Sequence, residues 1–275
     1  MARLRLTVDN YFSPEANWQY MSASQYKAFR ACEAAALAEL RGEWSRDATM
    51  ALRVGGYLDA YFSKELAQFE AAHPDIFKRD GTLKAEFQAA RSAAERLERD
   101  DLARMLLGGR AQVIKTGKIG GVWFKGKFDS LLTAAQVEAI CKKFPAVREL
   151  VPFGGAMIVD LKYMRDFAPQ WSDALHERVS FVEYWGYDVQ GAIYQALDKR
   201  HAPFVIVGVT KEATPNVEAL YVPDDALADC LAEVTASAPR YAAIKRGEIP
   251  AVGCGECAYC RSVKRLDGIK HYKTI

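Results

Sequence analysis

The chain contains 275 residues, of which 50% are hydrophobic, which is enough to bury a full core in one large domain or two small ones. Its 37 lysines and arginines nearly balance 35 aspartates and glutamates, which leaves a net charge of +2. This balance excludes a uniformly basic surface, so any contact with nucleic acid must depend on a local patch.

No stretch of the sequence has the length and apolar character of a membrane span, and residues 1–6 lack the apolar run of a secretory signal. We therefore expect a cytoplasmic protein without a membrane partner. Because disulfides are rare in a reducing cytosol, the six cysteines favour a metal site over three structural bridges.

The first third of the chain is predicted to be helical. Ser22 can cap a helix that reaches about residue 40 and contains Cys32. A second helix is expected over residues 44–69, where Gly55-Gly56 indicates either a break or a close crossing of two backbones. A third helix is expected over residues 83–107.

The hydrophobic period then changes from that of a helix to that of a strand. Residues 112–116 and 122–132 alternate apolar and polar positions around Gly120-Gly121, which predicts a hairpin. The following elements are predicted as a helix at 134–144, a buried strand at 156–163, a loop at 164–172, a long helix at 177–199, strands at 204–210 and 218–222, and a helix at 224–245. This order predicts an α/β (α+β) fold around one mixed sheet.

The buried strand at 156–163 contains a carboxylate and an amine two positions apart, Asp160 and Lys162. Because alternate residues of a strand point to the same face, these two groups are expected side by side. Burial of opposite charges costs free energy unless they are paired or hold a metal, so a structural ion pair and a functional pair are both open on this pattern.

Asp129 lies in the preceding predicted strand, so two carboxylates can meet at one edge of the sheet. Carboxylates suit Mg²⁺ or Mn²⁺, which keep coordination positions for water and phosphate oxygens. Such an ion could activate a water and neutralise charge on a phosphodiester, while the Lys162 ammonium orients the water.

Gln190 and Tyr194 lie four residues apart on the next predicted helix and therefore share one face. The amide and the phenol could reach a phosphate or a base. The alternative is a tyrosine anchored in the core beside a glutamine at the surface.

Asp129, Asp160-Leu161-Lys162 and Gln190-Gly191-Ala192-Ile193-Tyr194, in this order, resemble the PD-(D/E)XK nuclease superfamily and particularly its RecB-type branch. The resemblance covers about residues 22–260. It implies a restriction-endonuclease-like core in which helices flank a central mixed sheet. It also implies one nuclease domain over 1–275, divided into an N-terminal helical region at 1–108, a catalytic core at 109–222, and a C-terminal helix with a cysteine-rich tail at 223–275.

The resemblance implies a role for each residue of the motif. Asp129, Asp160, Lys162, Gln190 and Tyr194 would form the catalytic site, with Lys162 assisting the attacking water and the last two positioning DNA. The metal ligands would be Asp129, Asp160 and Asp59. Asp59 departs from the pattern, because many relatives have a histidine four residues after the glycine that Gly55 matches.

The likeness is greatest to phage and prophage PDDEXK-like exonucleases of the RecE kind. It implies Mg²⁺- or Mn²⁺-dependent digestion of linear double-stranded DNA, usually from the 5′ end, in a bacterial host cell. The single strands would pass to a phage annealing protein, and a ring-shaped homo-oligomer is expected by analogy. The alternatives are an endonuclease, a nuclease that processes single-stranded overhangs, and a non-catalytic DNA-binding module with structural metal sites.

Cys254, Cys257 and Cys260 have C-x₂-C-x₂-C spacing, which indicates a metal site that lacks its fourth ligand locally. Two of the remaining cysteines, Cys141 and Cys230, fall in ordinary helical segments. The resemblance implies that Cys32 is the fourth ligand, because RecB-type nucleases with an iron-sulfur staple take one cysteine from the start of the fold. A [4Fe-4S] cluster is the first prediction, zinc the second and free thiols the third.

A basic DNA path is predicted beside the carboxylates. It would consist of Lys125 and Lys127 on the hairpin and Arg165 after the active strand, together with Gln190 and Tyr194. The alternative for each basic residue is an ordinary solvated surface position.

Overall fold

The computed structural model describes residues 3–45, 50–151, 155–266, 268–269, 271 and 273. A five-stranded mixed sheet forms the centre of this part of the chain, in the strand order β1-β2-β3-β6-β7. The strands are β1 (Arg110–Ile119), β2 (Val122–Leu132), β3 (Met157–Met164), β6 (Phe204–Thr210) and β7 (Val217–Val222), and a separate hairpin is formed by β4 (Gln170–Ser172) and β5 (Glu177–Val179). Strands β3 and β6 are parallel, whereas the other pairs are antiparallel. The predicted fold class is confirmed.

Helices surround the sheet. In chain order they are α1 (Pro14–Gln19), α2 (Ala23–Ala31), α3 (Glu33–Arg41), α4 (Met50–Phe62), α5 (Leu66–Ala72), α6 (Ala85–Arg99), α7 (Asp101–Leu106), α8 (Ala134–Lys143), α9 (Pro145–Leu150), α10 (Phe181–Tyr184), α11 (Tyr187–Asp198), α12 (Asp224–Lys245) and α13 (Ala258–Val263). None of the helices in the described ranges combines the length and the apolar character that a membrane crossing needs.

The alternation of side chains along the strands builds two cores, one on each face of the sheet. On β3, Ile158 packs into a core with α2, α11 and α12, whereas Met157, Val159 and Leu161 pack into a core with α6, α7 and α8. Asp160 is two residues after Ile158 and therefore belongs to the face that α11 covers.

Helix α11 approaches this face closely because of a glycine. A Cβ atom added to Gly191 would lie 2.4 Å from the Phe204 ring on β6, so only glycine fits there. The close approach brings the residue before it, Gln190, to the sheet.

The predicted hairpin is confirmed, with its turn at Gly120-Gly121. Both glycines have a positive φ, +56° and +79°, the conformation that a two-residue hairpin turn requires. Helix α12 also has the predicted bounds.

Four predicted helices are divided in the structure, and the one predicted over 44–69 is divided between the end of α4 at Phe62 and the start of α5 at Leu66. The first is interrupted at Cys32, whose backbone is extended, and the third at Asp100, whose side chain caps α7. The predicted helix at 177–199 begins instead with β5 and α10, and α11 starts only after Gly186 at φ +61°. The left-handed backbone of Gly186 interrupts the helix, and the amphipathic pattern of the sequence does not reveal this interruption.

The predicted helix at 44–69 includes residues 46–49, which lie outside the described ranges. From Met50 the helix α4 continues through Gly55-Gly56 to Phe62. A Cβ at Gly56 would lie 3.2 Å from the Phe69 ring of α5, so the glycine pair permits a close crossing and does not break the helix.

Candidate active site

Asp160 is the centre of a polar cluster on β3, the middle strand of the sheet, where β2 and β3 separate. It is 1% exposed, and its Oδ1 accepts a hydrogen bond of 2.7 Å from Nε2 of Gln190. Its Oδ2 lies 2.5 Å from Nζ of Lys162, an ion pair whose angles are not those of a regular hydrogen bond. Two neighbours thus hold this carboxylate in one orientation.

Asp129 stands opposite Asp160 where β2 and β3 separate. The ladder between these strands ends at the pair formed by Ser130 and Val159. Beyond that pair the Asp129 Oδ2 accepts a hydrogen bond of 2.9 Å from the backbone N–H of Leu161. Burial, followed by the negative charges of Asp160 and Asp59, raises the pKa of Asp129 well above its usual value.

Helix α4 supplies the third carboxylate, Asp59. Its side chain is exposed to solvent, although surrounding protein atoms partly desolvate the carboxylate. This desolvation is the main cause that raises the pKa of Asp59 to about 6. The charge of Lys162 opposes the increase, and the charge of Asp160 adds to it. The structure therefore places Asp129, Asp160 and Lys162 together, and Asp59 lies close enough for the charges of Asp160 and Lys162 to act on it.

The donor set suits a hard divalent cation. Oδ2 of Asp160 is buried and has the Lys162 ammonium as its partner, and a carboxylate oxygen with one partner still has a lone pair for a metal. Within the described ranges, the only groups of at least three possible ligands whose atoms all lie within 4.8 Å are cysteines. The carboxylates thus do not form a closed cage, and Mg²⁺, which retains several waters, fits such an open arrangement.

Lys162 remains a cation in this environment. Burial alone lowers the pKa of its ammonium, but Asp160 and Asp129 together raise that pKa above its usual value. The Nζ atom also lies 4.8 Å from the centre of the Tyr187 ring. Lys162 can therefore donate hydrogen bonds and stabilise negative charge.

A second lysine near the site, Lys27 on α2, was not predicted. Its Nζ lies 5.5 Å from the Tyr187 ring and donates a hydrogen bond of 3.0 Å to the carbonyl of Trp185. Burial and then the charge of Lys162 lower the pKa of Lys27 to about 8. A single lysine within a helix carries no motif, so only the packing of α2 beside α11 reveals it.

The predicted DNA contact of Tyr194 is wrong. Its ring is buried against Phe128, and its hydroxyl donates a hydrogen bond of 3.1 Å to the carbonyl of Lys127. Tyr194 therefore anchors α11 to β2, which was the alternative interpretation. Gln190 is used to orient Asp160, and its contact with DNA remains a prediction.

The predicted DNA contact of Lys125 is also wrong, because this side chain is only 1% exposed. Its Nζ donates hydrogen bonds to the carbonyl of Tyr11 and to Oδ1 of Asn17, both in residues that cover this part of β2. Lys127 is half-buried beside the site. Arg165 is exposed and forms an ion pair with Asp166. Lys127 and Arg165 therefore stay candidates for DNA contact.

The raised carboxylate pKa values predict a pH-dependent response to Mg²⁺. In the metal-free folded state, Asp59 keeps a proton up to about pH 6 that the unfolded chain releases near pH 4, so raising the pH through this window lowers stability. Mg²⁺ binds the ionised form and offsets this loss. We expect Mg²⁺ to raise the melting temperature more at about pH 8 than at about pH 5, measured against EDTA. Asp59→Asn should reduce the difference, and equal increments at both pH values would contradict the assignment.

The cysteine site lies at the junction of α2 and α3, distant in sequence from the tail. The Sγ atoms of Cys32, Cys254, Cys257 and Cys260 all lie within 4.8 Å of one another. The separation is 3.6 Å between Cys32 and Cys260 and 3.9 Å between Cys254 and Cys260. The structure thus brings the predicted fourth cysteine to the other three.

Backbone N–H groups point at these sulfurs, as is typical of metal thiolate sites. The N–H of Cys254 donates to Sγ of Cys32 at 3.4 Å, that of Cys257 to Cys254 at 3.3 Å, and that of Cys260 to Cys257 at 3.4 Å. A bound metal therefore explains this arrangement of four sulfurs better than four free thiols do.

Comparisons with known proteins agree with this geometry. The family model of the PDDEXK-like domain of unknown function (DUF3799) matches residues 22–140 and 153–263, which include the carboxylate strands and all four clustered cysteines. The crystal structure of a candidate exonuclease from Eubacterium rectale is similar, with a TM-score of 0.84 and 35% sequence identity, and the match covers 98% of this chain and 97% of that chain. No curated protein matches the chain. The chain belongs to the DUF3799 family of PDDEXK-like domains and has the fold of the PD-(D/E)XK nucleases.

Proposed function

We propose that the protein is a Mg²⁺-dependent exonuclease that digests linear double-stranded DNA. The observation that carries this proposal is that Asp129, Asp160 and Lys162 meet where β2 and β3 separate, with Asp59 of α4 within reach of their charges. A nuclease activity follows from the family and the fold. The preference for DNA ends is supported by the similar structure from Eubacterium rectale, which is described as a candidate exonuclease.

Each residue of the site has a task in phosphodiester hydrolysis. The three carboxylates would hold Mg²⁺ or Mn²⁺, which when bound activates a water and neutralises charge on the phosphate. Gln190 keeps Asp160 in the orientation that leaves Oδ2 directed into the cluster. Lys162, which keeps its proton, would act as a hydrogen-bond donor to the water or to a phosphate oxygen and not as the base.

The resemblance to phage exonucleases extends the proposal to the biological setting. Digestion from the 5′ end would leave single strands for a phage annealing protein in the bacterial cell. A ring-shaped homo-oligomer would keep the enzyme on its DNA. These three points rest on the resemblance alone.

A substrate panel tests the proposed reaction. The protein with Mg²⁺ or Mn²⁺ is incubated with end-labelled linear duplex, closed circular duplex and single-stranded DNA. We expect mononucleotides or short products from the linear duplex and intact circles. Nicked circles would indicate an endonuclease, preference for single strands would indicate overhang processing, and binding without cleavage would indicate a DNA-binding module.

We infer that the cysteine site holds one zinc ion and not the iron-sulfur cluster that the resemblance favours. Four thiolates around one zinc ion at about 2.3 Å have sulfurs separated by about 3.8 Å, the edge of the tetrahedron. Two of the separations here are 3.6 and 3.9 Å, and all four sulfurs lie within 4.8 Å of one another. In a [4Fe-4S] cluster each thiolate binds a different iron, so the sulfurs must stand farther apart than they do around one ion.

A further inference from the structure

The N-terminal segment, residues 3–21, covers the part of β2 that β3 leaves unpaired. Met21 forms backbone hydrogen bonds with both neighbours of Phe124, accepting from Lys125 at 2.9 Å and donating to Trp123 at 2.8 Å. Because β2 and β3 separate at Asp129, this segment lies beside the carboxylate cluster. The segment precedes the residues that the family model matches.

Two lysines fix the segment in place. Lys125 bonds to the Tyr11 carbonyl and to the side chain of Asn17, as described above. Lys245 of α12 donates hydrogen bonds to the carbonyls of Asn17 and Tyr20 at 2.7 and 3.0 Å, and to Gln25 Oε1 at 2.8 Å. Three acceptors match the three protons of an ammonium group, so the anchor is fully satisfied.

The anchored segment presents two aromatic residues with opposite exposure. Tyr11 is buried, and its ring meets that of Phe12 edge to face at 4.9 Å. Phe12 is 69% exposed, which is unusual for an aromatic side chain held on a rigid support. The neighbouring contacts place it near the catalytic cluster, because Nζ of Lys127 lies 4.9 Å from its ring.

Electrostatic interactions connect these residues to the carboxylates. Lys127 lowers the pKa of Asp59, and Asp129 contributes after burial to the raised pKa of Tyr11. Phe12 therefore lies one lysine away from the predicted metal ligands. The Phe12 ring, the Lys127 ammonium and the carboxylates thus follow one another along this surface.

The depth of the site makes such a face useful. Asp160 is 1% exposed, so a scissile phosphate has to approach a carboxylate that lies below the protein surface. A strand end that has separated from its partner can reach such a group, and its terminal base then loses stacking and pairing. An exposed aromatic ring can replace the lost stack for any base, because every base has a π-face.

We propose that Phe12 stacks on the unpaired terminal base of a duplex DNA end, with Lys127 beside it to contact the backbone phosphate. This inference rests on the proposed function and adds a residue that favours strand separation. The expected consequence is selective. A single-stranded substrate has no base pair to open, so it depends on Phe12 far less than a duplex does.

The test compares Phe12→Ala with the wild-type protein on blunt duplex and on single-stranded DNA of the same sequence. We expect the ratio of duplex to single-strand cleavage rates to fall about 10- to 100-fold, the effect of losing one base-aromatic stack. Phe12→Trp should restore the ratio, because it supplies an equivalent ring. The exposed position should leave the melting temperature of both variants unchanged. An unchanged ratio in Phe12→Ala would overturn the proposal.

A binding measurement separates this inference from the proposed function. Duplex DNA with 2-aminopurine at its terminal position is mixed with the protein and Ca²⁺, which supports binding without requiring cleavage. Wild-type protein should change the fluorescence of the terminal base, and Phe12→Ala should bind without that change. Identical fluorescence in the two complexes would overturn the role of Phe12, whereas wild-type protein that cuts no DNA would overturn only the proposed activity.

Discussion

Replacement of Asp160 by asparagine is expected to lower DNA cleavage by about 10³-fold or more. Asp160 is the most buried of the three carboxylates, and its Oδ2 has no regular hydrogen bond within the described ranges. The amide removes the charge that would hold the metal and leaves an NH₂ group or a weaker oxygen in its place. A loss of about 4 kcal/mol in transition-state stabilisation corresponds to this factor.

The fold should survive this substitution. Asparagine keeps the volume of aspartate, and Lys162 keeps Asp129 as a nearby counter-charge. The measurement is the initial rate on end-labelled linear duplex with Mg²⁺, together with the circular dichroism spectrum and the melting curve. Asp80→Asn is a matched control, because Asp80 is exposed and bonds only within its own turn to Thr82. Cleavage at the wild-type rate by a folded Asp160→Asn protein would remove Asp160 from the proposed site.

Cys257→Ser is expected to destabilise the protein by about 5 kcal/mol and to release the metal. The cluster joins Cys32 to Cys254, which are 222 positions apart. The unfolded chain lacks this preformed site, so the free energy of metal binding contributes to the stability of the folded state. Loss of one of the four thiolates is expected to remove about 5 kcal/mol of that contribution.

The cysteine prediction has a local structural consequence as well. The tail is attached to α3 by the hydrogen bond of 2.9 Å from the Val252 N–H to Glu33, which also forms an ion pair with Arg240. These contacts remain in Cys257→Ser, so the variant should retain the core fold. Its tail should open locally more often than that of the wild-type protein. Hydrogen exchange of residues 250–263 would detect this loosening.

Metal analysis completes the test of the cysteine site. Protein purified without oxygen is expected to contain about one zinc ion per chain and to show no visible absorption. Cys230→Ser is the control, because Cys230 lies on α12 outside the cluster and its substitution should leave the zinc content unchanged. Iron and sulfide in the wild-type protein would establish the iron-sulfur alternative, and an unchanged melting temperature in Cys257→Ser would contradict the staple.

The sequence alone determined the strands of the central sheet and the polar pair on β3. The alternation around Gly120-Gly121, the apolar run before Asp160 and the apolar residues 204–210 predict strands, none of which is longer than 11 residues. Their patterns predict strands because a side-chain period of two is local to the strand itself. For the same reason Asp160 and Lys162 were expected side by side. The structure places Oδ2 of Asp160 2.5 Å from Nζ of Lys162.

The helix interruptions at Cys32 and Gly186 depended on tertiary structure. Both lie inside amphipathic runs whose composition favours helix, yet Cys32 adopts an extended backbone where it reaches the tail. Gly186 turns the chain into α11 against the stem of Lys27. Propensity is a weak local preference, and contacts between distant segments can outweigh it.

The tertiary structure also decided which residues of the site face solvent. The alternating pattern of β2 predicts that Lys125 is exposed. Tyr11 and Asn17 cover it in the structure, although they lie 114 and 108 positions away in the sequence. Tyr194 shares a helical face with Gln190, and the closeness of α11 to β2 buries the phenol while the amide reaches Asp160. Phe12 gains its place beside Lys127 only through the same covering segment. Periodicity specifies the face of an element, whereas the partner that covers the face is set by long-range packing, which no local pattern encodes.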